Sequence, residues 1–167
     1  MAGQRKSVLL RVNFNGEPFM NEVINYKSSR PKKKMESVKG GTYVEGSTSV
    51  GVEAMKASVT IKGATTSVLR NYGLHNGNKL PVTVKEYLED EDGQGFAVVE
   101  EWLGEIESIE DSEGAQGSLP QHTINLTLDN SKRTVNGEIE WEVKRRAAYV
   151  DLGQGNILER AAAAVGA

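Results

Sequence analysis

The chain has 167 residues, 38% hydrophobic and 26% charged, with a net charge of −3. That length suits one domain, which buries roughly 68–70% of the surface its unfolded chain exposes. The lack of cysteine excludes disulfides and thiolate metal sites, and no apolar run approaches the ~20 residues of a membrane helix.

At the N-terminus the apolar run Val8–Val12 is broken by Arg11 and followed by Asn13, too short and polar for a signal-peptide core. The sequence therefore reads as a soluble cytoplasmic product. Val8, Leu10, Val12 and Phe14 alternate with Leu9, Arg11 and Asn13, which predicts a strand, and Asn15-Gly16 supplies a hairpin turn. The segment 36–54 has four glycines and no steady alternation, and the basic run Arg30–Lys34 leads into it. It reads as an extended loop that orders against a partner.

Alternation returns at Met55, Ala57, Val59 and Ile61. A helix is expected over about 65–72, capped by Thr65 or Thr66 and ended by Gly73. Strands follow at Leu80–Val84, at 98–109 and at 121–129, the first closed by the acidic turn at 89–95. Val98, Trp102 and Ile106 share one face of the second, opposite Glu101, Glu105 and Glu107. A final strand carries Ile139, Trp141 and Val143 after the turn Asn136-Gly137, and a short helix capped by Asn156 is expected over 156–164. The fold class is mainly β: a β-sandwich or barrel with one internal helix, a long glycine-rich loop and a short C-terminal helix or arm. Residues 1–167 form one domain, with 145–167 as the arm.

Signals for chemistry fail one by one. His75 and His122 are far apart in sequence and read as surface or turn residues. The acidic turn does not place its glycine where a calcium loop needs it. Gly153-Gln154-Gly155 lacks the third glycine of a dinucleotide loop, with Leu158 in its place. Glu100 and Glu101 are adjacent strand residues, so they point to opposite faces and cannot share acid–base work. Both tryptophans, Trp102 and Trp141, read as core. No catalytic, cofactor or metal set emerges.

Charge is segregated. Residues 1–34 carry a balance of +6, and residues 86–113 hold twelve acids and no base. Such a chain can mate with copies of itself.

Taken in order, several segments resemble the major tail tube proteins of contractile-tailed phages and R-type tailocins. They are VNFNG at 12–16, KGGTYVEGSTSVGVEAMKASVTIKG at 39–63, SVLRNYGL at 67–74, IESIEDSEGAQGS at 106–118 and the closing run from Leu128. The resemblance covers nearly the whole chain and rests on order and spacing. It implies a structural subunit of the inner tail tube, not an enzyme, assembling with itself into stacked hexameric rings. One sheet from each copy would line a channel for DNA or a tape-measure protein, and DNA would pass without sequence-specific binding. The other implied partners are the tail sheath protein, the baseplate hub and the tail terminator, with no cofactor and no membrane anchor. The protein would be made in the host bacterial cytoplasm and carried in a virion or tailocin tail.

On this reading Glu101, Glu105, Glu107, Thr123, Asn125 and Thr127 face the lumen as an acidic, polar stripe that Leu103 interrupts. Gly40, Gly41, Tyr43, Val44, Val50 and Val52 are expected at contacts between rings. The tube protein of type VI secretion shares the implied fold and is one alternative. A monomeric carbohydrate- or nucleic-acid-binding β-barrel is another, for which 6% aromatic residues is low.

Overall fold

The computed structural model describes residues 3–28, 30–63, 69–73 and 78–167. β1 (Lys6–Phe14) turns through Asn15-Gly16 into β2 (Glu17–Phe19). Both turn residues have positive φ, 48° and 88°, as the tight turns that suit twisted strands require. β3 (Val23–Ser28), β4 (Lys33–Val38), β5 (Gly46–Val52) and β6 (Met55–Lys62) follow. A 3-10 turn spans Arg70–Gly73, and then come β7 (Leu80–Glu89), β8 (Gly95–Asp111), β9 (Gln121–Val135), β10 (Glu138–Lys144) and β11 (Tyr149–Asp151). The helix α1 (Glu159–Val165) closes the chain.

The main sheet runs β11-β10-β9-β8-β7-β1-β2, with a branch from β9 through β6 to β3. It forks because β8 and β9, at 17 and 15 residues, outrun their neighbours. One half of the β8–β9 pair, Gly95–Leu103 with Asn130–Val135, is flanked by β7 and β10. The other half, Glu105–Asp111 with Gln121–Leu128, is flanked by β6 alone.

A sharp irregularity divides the halves. Leu103 pairs with Asn130 and Gly104 with Leu128, leaving Asp129 as the extra residue of a bulge. A Cβ on Gly104 would sit 2.1 Å from the Thr127 carbonyl oxygen, so only glycine fits. Bulge and glycine together bend the strands, and side chains of both halves meet in one core. Val12, Val82 and Trp102 come from one side, and Val59, Ile61 and Ile124 from the other. Asp129, nearly buried, is held by Lys79 Nζ at 3.6 Å, Arg145 Nη1 at 3.3 Å and Arg146 Nε at 3.5 Å. β1 and β3 approach one another without forming a ladder, so the barrel stays open.

Two sequence expectations meet a different structure, and a third lies partly outside the described residues. Much of the segment read as a loop over 36–54 is a β-hairpin, β4 with β5, joined by residues 39–45. Its ladder shifts between Lys34 and Met35, leaving Val50 unopposed, and a bulge of this kind erases period-two alternation. The internal helix expected over 65–72 falls partly on residues 64–68, outside the described residues; its described end is the 3-10 turn. The C-terminal helix begins later than expected, because the Asn156 side chain accepts hydrogen bonds from Val150 N and Leu158 N and so caps the turn before it.

Gly104→Ala tests the bend. The added methyl group should cost about 1–3 kcal/mol, the range for overpacking a dense site. Urea unfolding measures it, and an unchanged midpoint would show that the bend does not depend on this glycine.

Candidate functional site

The four-strand half-sheet built from β3, β6, β9 and the far half of β8 has two unpaired edges among the described residues. β3 pairs only with β6. On the other side the β7–β8 ladder ends at Leu80 and Gly104, so Glu105–Asp111 pairs only with β9. There the Tyr72 hydroxyl donates to the Glu107 carbonyl at 3.3 Å. Open edges of this length invite pairing with another chain.

One face of the half-sheet is given to the core by Ala57, Val59, Ile61, Ile124 and Leu126. The other is polar and is ordered in rows. Lys27 lies opposite Ser58, Ser58 opposite Asn125, and Asn125 opposite Ser108. The next row runs Asn25, Thr60, Thr123, Glu110. Of the six residues expected on one stripe, the structure brings together Glu105, Glu107, Thr123, Asn125 and Thr127. Glu101 lies beyond the bend at Gly104, opposite Lys132 and Thr83.

The stripe is less acidic in effect than its sequence. Lys56 Nζ lies 3.4 Å from Glu107 Oε1, and the Thr127 hydroxyl donates to Glu107 Oε2 at 3.0 Å. Lys79 Nζ lies 3.9 Å from Glu105. Asn125 donates to the Ser108 hydroxyl at 3.0 Å. The cations come from β6 and from the segment before β7, too far away in sequence for a scan of one strand to find them.

The β4–β5 hairpin is a second element that pairs with no other strand among the described residues. Every residue of β4 is exposed, as is all of β5 except Val52. Such hairpins are marginal alone. Tyr43 is 99% exposed and Val44 75%; Gly40, with φ of 54°, shapes the turn before them beside Gly41. Val50 is exposed at the bulge, whereas Val52 packs against its own core at the hairpin's base.

A buried polar seam fixes where the hairpin leaves the body. Glu100 is fully buried, accepts a hydrogen bond from the Ser28 hydroxyl and faces Arg133 Nη1 at 3.4 Å. Burial pushes the Glu100 carboxyl above its ordinary pKa, against the hydrogen bond from Ser28 and the charge of Arg133. Nearby, the Tyr26 hydroxyl donates to Glu86 Oε1 at 3.0 Å. Burial and the charges of Glu100 and Glu86 raise the Tyr26 pKa. Arg133 Nε reaches Glu140 at 2.8 Å, and Arg30 lies over the Trp141 ring. Trp141 is core, as expected, with its indole N–H donated to Ser131 Oγ at 3.1 Å.

His122 departs from the surface role expected of it: it is buried, with Nδ1 against Asp111. His75 lies outside the described residues. Among the described residues no group of three or more histidine, aspartate or glutamate side chains is placed to hold a metal. The arrangement is suited to assembly.

The model of the family described as phage tail tube protein FII matches residues 7–166. The chain belongs to that family. It is a structural tail tube protein. No curated protein matches this tail tube protein in sequence. Among solved structures it is similar to a chain of the PVC sheath–tube complex, an extracellular contractile injection system in the extended state. The TM-score is 0.57 at 10% identity, over 75% of this chain and 88% of that one. It is also similar to a chain of the anti-feeding prophage (AFP) tube terminating cap, with TM-score 0.55, 11% identity, and 75% and 87% covered. For the SPP1 tail tube the values are 0.51, 17%, and 83% and 80%. These likenesses place the tail tube protein's fold, a bent and branched β-sheet, among those of solved tail tubes and contractile injection systems.

The buried Glu100 of the tail tube protein makes a prediction about pH. A carboxyl whose pKa is raised on folding contributes stability below its unfolded pKa, about 4.3. That contribution is lost as pH rises toward the folded value. Glu100→Gln should therefore gain melting temperature relative to the wild type as pH climbs from about 5 to 8. A difference that shrinks over that interval would show that Arg133 and Ser28 outweigh burial.

Proposed function

We propose that the tail tube protein closes into hexameric rings through the two open edges of the four-strand half-sheet, and that stacked rings form the channel of a contractile injection particle. One observation carries the reading: β3, β6, β9 and β8 alternate in direction, and among the described residues no strand pairs with either outer edge. A rotation about the ring axis maps this even set onto the next copy, so β8 meets the neighbour's β3 antiparallel. The sheet continues without a fault.

The core covers one face of each half-sheet, leaving the polar face for the lumen. Glu105, Glu107, Thr123, Asn125 and Thr127 then line the channel with Asn25, Lys27, Lys56, Ser58 and Thr60. DNA passes without sequence-specific binding, or a tape-measure protein passes, along a wall with no surplus of cations to hold a phosphate backbone. Gly40, Gly41, Tyr43, Val44 and Val50 on the hairpin serve contacts between rings. The sheath protein encloses the tube, the baseplate hub starts it and the tail terminator ends it. The protein performs no catalysis, holds no cofactor, and is made in the bacterial cytoplasm for a virion or tailocin tail without a membrane anchor. Family membership and the likeness to contractile-system chains support this reading.

Electron microscopy of the purified protein should show rings or tubes; monomers at every concentration would overturn the proposal. The seam can be probed by charge. Neither Lys27 nor Glu110 forms an ion pair among the described residues, and with no axial slip Lys27 faces the neighbour's Ser108, flanked by Glu107 and Glu110. Lys27→Glu should block ring closure and Lys27→Glu with Glu110→Lys should restore it. Rings formed equally by the single variant would place the seam elsewhere.

A further inference from the structure

A groove between β1, β7 and β8 is lined by Leu9, Met20, Tyr87, Ala97 and Val99 and encloses about 330 Å³. Leu9 is 61% exposed and Met20 54%, which leaves an apolar concavity open to water. Arg11 and Lys85 stand along it. Lys85 forms no ion pair among the described residues.

The hairpin turn carries the matching convexity. Tyr43 and Val44 stand out from the β4–β5 turn, and Glu45 beside them has no ion-pair partner among the described residues. An aromatic ring is a large apolar anchor whose hydroxyl tolerates a wet rim. Among the described residues the hairpin pairs with no strand but its own, and none of its residues lines the groove.

We infer that the turn of one copy seats Tyr43 and Val44 in the Leu9–Met20–Tyr87–Val99 groove of a second copy, with Glu45 against Lys85. The inference rests on the ring-stack reading and names the surface that receives the hairpin. The contact is heterologous: the donor surface differs from the acceptor, so each copy gives one hairpin and receives another, and the series propagates along an assembly. It also covers both apolar surfaces at once. Charge complementarity fixes the partner's orientation more than it adds affinity.

The absence of cysteine makes the test clean. Val44→Cys with Met20→Cys in one chain, oxidised after assembly, should yield a ladder of covalent multimers on non-reducing gels, and each single variant should yield none. A ladder from Val44→Cys alone would mean that turn meets turn and would overturn the inference. Tubes seen by microscopy without a ladder would overturn it too and leave the tube reading standing; a wild type that never assembles would remove both. A charge swap keeps the test decisive if the cysteine pair disturbs assembly. Lys85→Glu should reduce tube yield several-fold and Lys85→Glu with Glu45→Lys should recover it, and a failure to recover counts against the contact.

Discussion

Everything distinctive in this molecule depends on the bend where β8 and β9 pass Gly104 and Asp129. Without it the two long strands would carry one broad sheet with an uncovered apolar face. With it, the far half folds over the near half, and Trp102 on one side reaches the same core as Ile124 and Ile61 on the other. Backbone contact sets the bend: the space a Cβ needs at Gly104 is taken by the Thr127 carbonyl. The bulged Asp129 is then tied to Lys79, Arg145 and Arg146. Arg145 also gives its backbone N–H to the Asp129 carbonyl at 3.1 Å, so the turn between β10 and β11 braces the corner. The same bend frees the far half of β8 from β7 and thereby creates one of the two open edges.

The second consequence of an unclosed barrel is a gap between β3 and the near half-sheet. Beside the Tyr26–Trp102 ring contact it holds a polar group: Glu100, Ser28, the Tyr26 hydroxyl, Glu86 and Arg133. A buried charge pair of this kind is poor value in stability, since desolvation offsets most of the attraction. It is directional, however, and Ser28 is the last residue of β3 before the chain departs for the hairpin. Arg30, two residues on, continues the anchoring through Glu140 at 3.7 Å and the Trp141 ring. The hairpin is thus exposed along its length yet fixed at its root, the combination an element needs to reach a neighbour at a defined angle.

Much of the fold was legible in the sequence, because half-buried strands must alternate and tight turns need particular residues. Asn15-Gly16 and Asn136-Gly137 became turns with positive φ, and the apolar faces of β6, β8 and β9 lie where alternation placed them. The hairpin escaped because both of its faces meet water, so nothing constrains its pattern, and the bulge at Val50 breaks the period. The bend escaped for a different reason. An isolated glycine inside a strand is a signal for a bulge or close approach, but Gly104 sits between residues that keep the expected faces, and what crowds it is a carbonyl of another strand. Glu100 was read as one of two acids on opposite faces, which holds; its burial depends on Ser28 and Arg133, which no local pattern links to it. A straight strand puts Glu101 on the same stripe as Glu105 and Glu107, and the bend at Gly104 sets it opposite Lys132 and Thr83.

The bend bears on the electrostatics of the proposed channel. Lys27, Lys56 and Lys62 stand on β3 and β6, and Glu105, Glu107 and Glu110 on β8. On the polar face these three cations match three acids, Asp111 standing instead beside the buried His122, and the Lys56–Glu107 pair is already formed within one copy. Beyond a Debye length of about 8 Å such a wall shows little net field. An acidic wall would repel a phosphate backbone and raise the work of entry, and a basic one would hold it through counterion release. A wall in which lysines balance glutamates among threonine and asparagine side chains, with one pair closed, does neither. The Lys56–Glu107 pair that cancels charge also ties β6 to β8 across β9, so in the proposed ring the contact that weakens the field is the one that stiffens the sheet.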